Sequence, residues 1–237
     1  MAYVLDEKGR IIYAPDLGQY GAKRYPNIFT TDRGVIGSPD YPRPFVAFKC
    51  GSIAFFDVID PLIMKEFLWK YYEGKEYGPL NFRILDSRTH FEPISHGFVG
   101  WGGTLIAFVP PDLPVEFTIN LPSIEQHPYG ILSKIYGEDQ KIVSCKVKRG
   151  DQILVTFTPL EIAENFYFIN DERLKTLESY YAISQVARLF HEEARRNLEE
   201  ARESLSKKDY SSAMAYAFQA LSASWRSYVD IMSLIND

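Results

Sequence analysis

The sequence has few of the residues from which catalytic and metal sites are most often built. It contains two cysteines and four histidines in 237 residues, and none of them has the spacing of a zinc site. The Gly-x-Ser-x-Gly turn of serine hydrolases and the Gly-rich phosphate loop are both missing. We therefore expect no metal, no cofactor and no catalytic residue, although acid pairs such as Glu161 and Glu164 keep an enzyme open as a third hypothesis.

Long apolar runs and a strong positive charge are also missing. The net charge is −5, from 26 basic and 31 acidic residues, and phosphate binding needs clustered Lys and Arg. No window approaches the roughly 18 apolar residues of a membrane span, and residues 1–8 carry charges where a signal peptide is apolar. We predict no nucleic-acid partner, no membrane and a cytoplasmic location, or a secreted one if a leader has been removed. The basic run at 146–149 is interpreted as a solvated hairpin edge.

Prolines divide the first two thirds of the chain into the short segments that are typical of a β protein. Thirteen of the fourteen prolines precede residue 155, and they divide the chain into short segments. Residues 3–13 predict a β-hairpin around Gly9, and 45–59 predict a second strand pair around Gly51. Because strand-like segments recur about every 8–12 residues, we predict an α+β fold with an antiparallel β-sandwich, Ig-like or jelly-roll-like, over residues 1–165.

Helical patterns occur at two places. Asp60 and Pro61 have the character of an N-cap and a first helical residue, which predicts a short helix near 61–73. Beyond Pro159 the apolar spacing lengthens to about three or four residues, which predicts helices over 172–206 and 210–235.

Together these two C-terminal helices would form an antiparallel hairpin over residues 166–237, with Asp209 capping the second helix. His191 lies among Glu and Arg residues, and we expect it on the solvated face of the first helix. Cys50 and Cys145 lie in apolar strand-like contexts, where free buried thiols and a disulfide between them both remain open.

The most distinctive stretch surrounds Trp101, which glycines flank on both sides. Such a ring is uncrowded by neighbouring side chains and is suited to stack on a sugar, with His96 and Phe98 beside it. Trp69 and Tyr72 belong to a second aromatic cluster, which has more aromatic residues than one buried face of a helix can cover. We take these five residues as candidate ligand-binding residues, and the alternative for Trp101 is a place in the core.

Two stretches resemble segments of known families. Residues 85–94 resemble the hairpins of Ig-like and carboxypeptidase-regulatory-like sandwiches, with His90 in place of the usual Gly. Residues 174–187 and the Ala-rich turn at 208–213 are similar to the β-sandwich plus helical-pair region ahead of the barrel in some glycoside hydrolase family 10-like proteins. The turn also resembles tetratricopeptide-type helix pairs. Because the barrel itself is absent, the resemblance implies an accessory, binding role and not hydrolysis.

Two hypotheses of different classes follow. The first is a non-catalytic accessory module that binds carbohydrate and works beside a glycoside hydrolase-type catalytic domain, so that its partners are a carbohydrate or that neighbouring domain. The alternative is a structural or interaction protein whose helical hairpin mediates homo-oligomerisation or partner docking, because two helices cannot cover so long an apolar stripe. Glycan retention through exposed aromatic residues would favour the first hypothesis, and concentration-dependent dimerisation the second.

Overall fold

The structure, a computed structural model, describes residues 3–22, 30–31, 34–35, 46–60, 65–66, 70–72, 75–77, 81–101, 103–120, 128, 130–136, 142–180 and 184–236. Strands occupy the first two thirds of the chain and helices the last third, so the fold is α+β, as predicted. The strands are β1 (Val4–Leu5), β2 (Ile11–Pro15), β3 (Thr30–Thr31), β4 (Gly34–Val35), β5 (Ala47–Lys49), β6 (Gly51–Phe55), β7 (Ile59–Asp60), β8 (Lys65–Glu66), β9 (Lys70–Tyr72), β10 (Lys75–Tyr77), β11 (Asn81–Asp86), β12 (Gly97–Trp101), β13 (Thr104–Val109), β14 (Val115–Asn120), β15 (Gly130–Leu132), β16 (Lys134–Tyr136), β17 (Ile142–Ser144) and β18 (Gln152–Val155). The helices are α1 (Thr158–Ser179), α2 (Gln185–Ser206) and α3 (Tyr210–Asn236).

Three larger sheets organise the strands, with the orders β1–β2–β5, β12–β13–β6–β18 and β11–β14–β15. Their pairings are antiparallel except for β18, which runs parallel to β6. The hairpin predicted over residues 3–13 is confirmed, since β1 and β2 pair through a turn in which Gly9 has a φ of 76° that favours glycine. The second predicted pair is wrong, because β5 and β6 belong to different sheets.

The four-stranded sheet lies between the two three-stranded sheets. Successive side chains of a strand point to opposite faces, and β13 therefore contributes to two cores. Leu105 and Ala107 join the main core, whereas Phe108 packs with Ala14 and Phe48 of the β1–β2–β5 sheet. The main core also takes buried side chains from the third sheet and from all three helices, among them Ile84, Phe117, Leu132, Phe166, Leu198 and Leu221.

The described helical part contains three helices, where the sequence predicted two. α1 begins at Thr158, so the predicted boundary after residue 165 falls inside a helix. Pro159 lies in the first turn of that helix. Backbone N–H groups there have no partner within the helix, so the N–H that proline lacks costs no hydrogen bond. The helix predicted over 172–206 is helical over 172–179 and 185–206, but it is divided between two helices, because Ser184 accepts a hydrogen bond from the Ala187 N–H at 3.0 Å and caps α2. The second predicted helix begins at the expected residue, after Asp209.

The short helix predicted near 61–73 is wrong in the residues that the structure describes. Lys65–Glu66 and Lys70–Tyr72 are the strands β8 and β9. Asp60, expected to cap a helix, instead pairs with Lys65 in the β7–β8 ladder. Aromatic residues that recur at helical spacing fit the pleated surface of a strand equally well, and strands favour them.

α3 packs against both other helices, and it runs antiparallel to α2. Ser184, which precedes α2, donates a hydrogen bond to Asp230 near the end of α3. Ser227 donates to the Ala187 carbonyl at 3.0 Å, and Asn170 of α1 donates to the α3 backbone at Ser224 at 2.8 Å. α1 therefore covers part of the apolar stripe that two helices alone could not cover.

His191 is not on a solvated face, contrary to expectation. Its ring stacks on Tyr167 of α1 with a centroid separation of 4.3 Å and an interplanar angle of 3°, and the residue is buried. The sequence prediction failed here because it did not place a separate helix, α1, against this face of α2.

Candidate functional site

A cavity of about 380 Å³ lies where the segment after β2 meets the first residues of β11 and β12. Two candidate residues from the sequence, His96 and Phe98, line this cavity. Its other lining residues are Leu17, Tyr20, Gly21, Phe82, Arg83 and Glu92. The structure thus brings two of the five predicted ligand-binding residues to one site, together with residues from distant parts of the sequence.

Asp16 holds the segment after β2 in place. Its carboxylate is 4% exposed and accepts hydrogen bonds from the Gly18 N–H at 2.8 Å, the Ser95 hydroxyl at 2.7 Å and the His96 N–H at 3.3 Å. The Leu17 N–H also donates to the His96 carbonyl at 2.8 Å. One buried carboxylate therefore ties the two walls of the cavity together.

The backbone at Tyr20 is left-handed, with a φ of 54°, which is uncommon for a residue other than glycine. Glu92 stabilises this conformation, because its carboxylate accepts the Tyr20 N–H at 2.7 Å and its carbonyl accepts the Gln19 side-chain amide at 3.0 Å. The Tyr20 residue is 64% exposed. The result is a fixed backbone that places a solvent-exposed tyrosine at the rim of the cavity.

Polar groups at the cavity wall supply both hydrogen-bond donors and acceptors. Arg83 donates from Nε to Glu92 at 3.2 Å, and its side chain remains 39% exposed. The His96 Nδ1 lies 3.2 Å from the Pro93 carbonyl. Since a carbonyl only accepts, Nδ1 is the donor in this hydrogen bond.

Phe82 and Phe98 are aromatic residues that line the cavity, and contacts with the main core fix their positions. Their rings meet edge to face at 5.6 Å, and Phe82 stacks on Phe117 of the main core at 5.5 Å. Because core side chains are closely packed, these two rings have little freedom to move when a ligand enters.

Ser95, His96 and Asp16 are neighbours, but they do not form a nucleophile–base relay. The Ser95 hydroxyl donates to Asp16, and the His96 ring hydrogen bonds to a backbone carbonyl. Burial raises the pKa of the free Cys50 thiol to about 11 and that of Cys145 to about 12, so neither is a thiolate at neutral pH. The geometry around the cavity suits binding.

The other three predicted ligand-binding residues lie apart from this description. Trp101 ends β12, where its backbone pairs with Thr104, and its side chain lies outside the described residues. Trp69 and the side chain of Tyr72 also lie outside them. The roles proposed for these residues from the sequence stay predictions. Among the described side chains, no cluster of His, Cys, Asp and Glu is arranged to hold a metal ion.

A second cavity, of about 260 Å³, lies between α1 and α2. Its two cations are already paired, Arg202 with the buried Glu164 at 2.7 Å and Arg195 with Glu192 and Glu199 at 3.0 and 3.1 Å. An anionic ligand would have to displace these carboxylates, so we do not assign it a ligand.

The comparisons with known proteins give no relative from which to transfer a role. The chain matches no protein-family model, no curated protein and no solved structure. Among the helices that the structure describes, none combines the length and the apolar character that crossing a bilayer requires. The functional argument therefore depends on the geometry of the cavity.

Proposed function

We propose that this chain is a non-catalytic carbohydrate-binding module and that the cavity beside Phe98 holds one sugar ring. The observation that carries the proposal is the combination of fixed aromatic rings with convergent polar groups in one cavity. Its volume of about 380 Å³ falls within the range of roughly 300–1,000 Å³ that is usual for small-molecule sites.

A pyranose has an apolar C–H face and a rim of hydroxyl groups, and the cavity offers a partner for each. Tyr20 and Phe98 supply aromatic surface for the apolar face. The Nη groups of Arg83 can donate to hydroxyl oxygens, and the lone pairs of the Glu92 carboxylate can accept from hydroxyl groups. A neutral Arg–Glu pair favours a ligand rich in hydroxyl groups over a bare cation or anion.

The organisation expected from the sequence belongs to the same proposal. The four-stranded sheet and the β11–β14–β15 sheet share one core, which supports an Ig-like or jelly-roll-like sandwich as the body. We further propose that the module works beside a glycoside hydrolase-type catalytic domain. The alternative, an interaction protein that docks through its helices, is favoured by one observation, the exposure of Val186 and Leu189 on α2.

Two substitutions test the site. Tyr20→Gly removes the ring and accepts the left-handed backbone, so the fold should be kept, and glycan affinity should fall roughly two- to tenfold. Arg83→Gln should lower affinity by about tenfold or more, the usual effect of losing a hydrogen bond from a charged group. Affinity electrophoresis through soluble β-glucan, xylan, galactan and α-glucan measures both effects.

Tyr210→Ala is the matched control, because Tyr210 is an equally exposed tyrosine at the start of α3. It should leave retention unchanged. The proposal is wrong if no polysaccharide in the panel retards the unaltered protein, or if Tyr210→Ala weakens retention as much as Tyr20→Gly does.

A further inference from the structure

Four exposed cations lie on or beside the β1–β2–β5 sheet: Lys8 in the hairpin turn, Lys49 in β5, and Lys148 and Arg149 in the turn before β18. We call this surface the basic face. Within the described residues, none of these four side chains has a carboxylate partner. Arg149 instead lies over the Tyr13 ring, 4.9 Å from its centroid.

This lack of partners contrasts with much of the remaining described surface. Most described cations elsewhere pair with an acid, as in Arg88–Asp86, Lys175–Asp171, Arg188–Glu178 and Lys207–Glu203. Described cations without an acid partner also occur elsewhere, but on different elements, such as Arg196 in α2 and Lys208 after it. A chain with a net charge of −5 thus keeps a local surface of the opposite sign.

The contacts of the small sheet bring Lys49 and Arg149 together, and Lys148 precedes Arg149 in the same turn. Val4, Tyr13 and Lys49 form one row across β1, β2 and β5, and paired residues of antiparallel strands project to the same face. The turn with Arg149 packs on the same strands, since a Cβ placed at Gly150 would lie 3.1 Å from the Ile12 side chain.

Nearby acids reduce the charge of the basic face but do not cancel it. Arg10 and Asp6 neutralise each other in a 2.7 Å ion pair. Glu7 and Asp151 are the remaining acids of the two turns, and Asp151 accepts the Lys148 N–H. Four cations against two acids leave a net charge of +2 on this surface.

The same hairpin also exposes aliphatic side chains. Val4 is 46% exposed and Leu5 is 55% exposed, and both belong to β1, which leads into the turn that carries Lys8. Nucleic-acid surfaces combine cations with open aromatic faces for base stacking, but here Arg149 covers the Tyr13 ring. Aliphatic side chains bordered by Lys and Arg fit the boundary between lipid headgroups and acyl chains. We infer that the basic face docks on the surface of an anionic lipid bilayer.

Cosedimentation with vesicles tests this inference independently of glycan binding. The probes are phosphatidylcholine vesicles with and without about one third of phosphatidylserine. Each cation near an anionic leaflet contributes about fivefold to partitioning, so a net charge of +2 predicts about thirtyfold tighter binding to the anionic vesicles. Screening should remove this preference in high salt.

Substitutions locate the effect. Lys49→Gln, at a side chain with no ion-pair partner among the described residues, should weaken binding to anionic vesicles about fivefold. Lys49→Gln combined with Arg149→Gln should remove most of the preference, and Leu5→Ser should weaken binding further. Arg196→Gln is the matched control, because it removes an exposed, unpaired cation on α2 and should have little effect.

Three results would overturn the inference. One is equal binding to both kinds of vesicle, and another is a loss with Arg196→Gln as large as that with Lys49→Gln. The third is binding to a single-stranded RNA or a DNA duplex without binding to vesicles, which would assign the basic face to nucleic acid.

Discussion

Asp16 offers the sharpest test of how the cavity is built, because one buried carboxylate joins its two walls. Asp16→Ala removes the acceptor for the Gly18 and His96 N–H groups and for the Ser95 hydroxyl. A hydrogen bond to a charged group contributes about 1.5–3 kcal/mol. Three such bonds would total about 4.5–9 kcal/mol, but water entering the vacated space can solvate the stranded donors. We therefore expect a loss of about 3–5 kcal/mol in the free energy of unfolding.

Urea denaturation measures that loss, and chymotrypsin cleavage after Tyr20 reports on the segment itself. Asp16→Asn is the matched control, because its Oδ1 can still accept both N–H groups while the Ser95 hydroxyl turns to accept from the amide. We expect this control to cost about 1–2 kcal/mol and to resist cleavage. If Asp16→Ala unfolds at the same urea concentration as the unaltered protein and is cleaved no faster, Asp16 does not hold the segment.

Two further predictions concern the helices. Leu221, 1% exposed in the main core, should cost about 3–5 kcal/mol of stability when replaced by Ala. Leu189→Ala, at a side chain 64% exposed, should change stability by less than about 0.5 kcal/mol. Equal shifts of the melting temperature in Leu221→Ala and Leu189→Ala would contradict the burial of Leu221 in the main core. Burial lowers the pKa of His191 although Asp171 opposes it, so the unfolded chain binds the proton more readily and stability should fall as the pH drops below about 6.5. In His191→Gln the melting temperature should change less between about pH 7.5 and 5.5 than it does in the unaltered protein. An equal change in both proteins would contradict the lowered pKa of His191.

Local patterns predicted the elements that local interactions decide. The β1–β2 turn follows from Gly9, and the start of α3 follows from Asp209, whose carboxylate accepts the Ser212 N–H at 3.2 Å. Ser184 carried the same kind of capping signal, but an apolar stripe on both sides of it favoured one long helix. Pro159 was taken only as the point beyond which the apolar spacing changes, although Pro is also common in the first turn of a helix and α1 begins at Thr158.

Pairing between strands could not be predicted from the same patterns. β5 and β6 are separated by Cys50 alone, yet β5 pairs with β2 while β6 lies between β13 and β18. Alternation of apolar residues shows that a segment can be a strand, but not which partner it takes. The short strands in 61–73 illustrate the same limit, because their aromatic residues satisfy a helical period and a pleated surface alike.

The candidate site was predicted only in part for a related reason. His96 and Phe98 were selected because they lie near Trp101 and its glycines, and the structure places them at the start of β12, beside the cavity. Tyr20, Arg83 and Glu92 had no local signal of comparable strength. The available hint in the sequence was the pair of glycines at positions 18 and 21 around Tyr20. In the structure both glycines have positive φ values, of 69° and 74°, a backbone conformation that residues with side chains disfavour.

The acids of this site explain how a chain without catalytic motifs can still build a cavity. Pairs of carboxylates in the sequence carried no specific meaning, because any chain with 31 acids contains them. In the structure, Asp16 and Glu92 accept backbone N–H groups from the segment after β2, including that of Tyr20, whose φ is positive. Such bonds stabilise a backbone that would otherwise be strained. These two carboxylates therefore shape the cavity wall, and Glu92 also keeps lone pairs for the ligand that we propose.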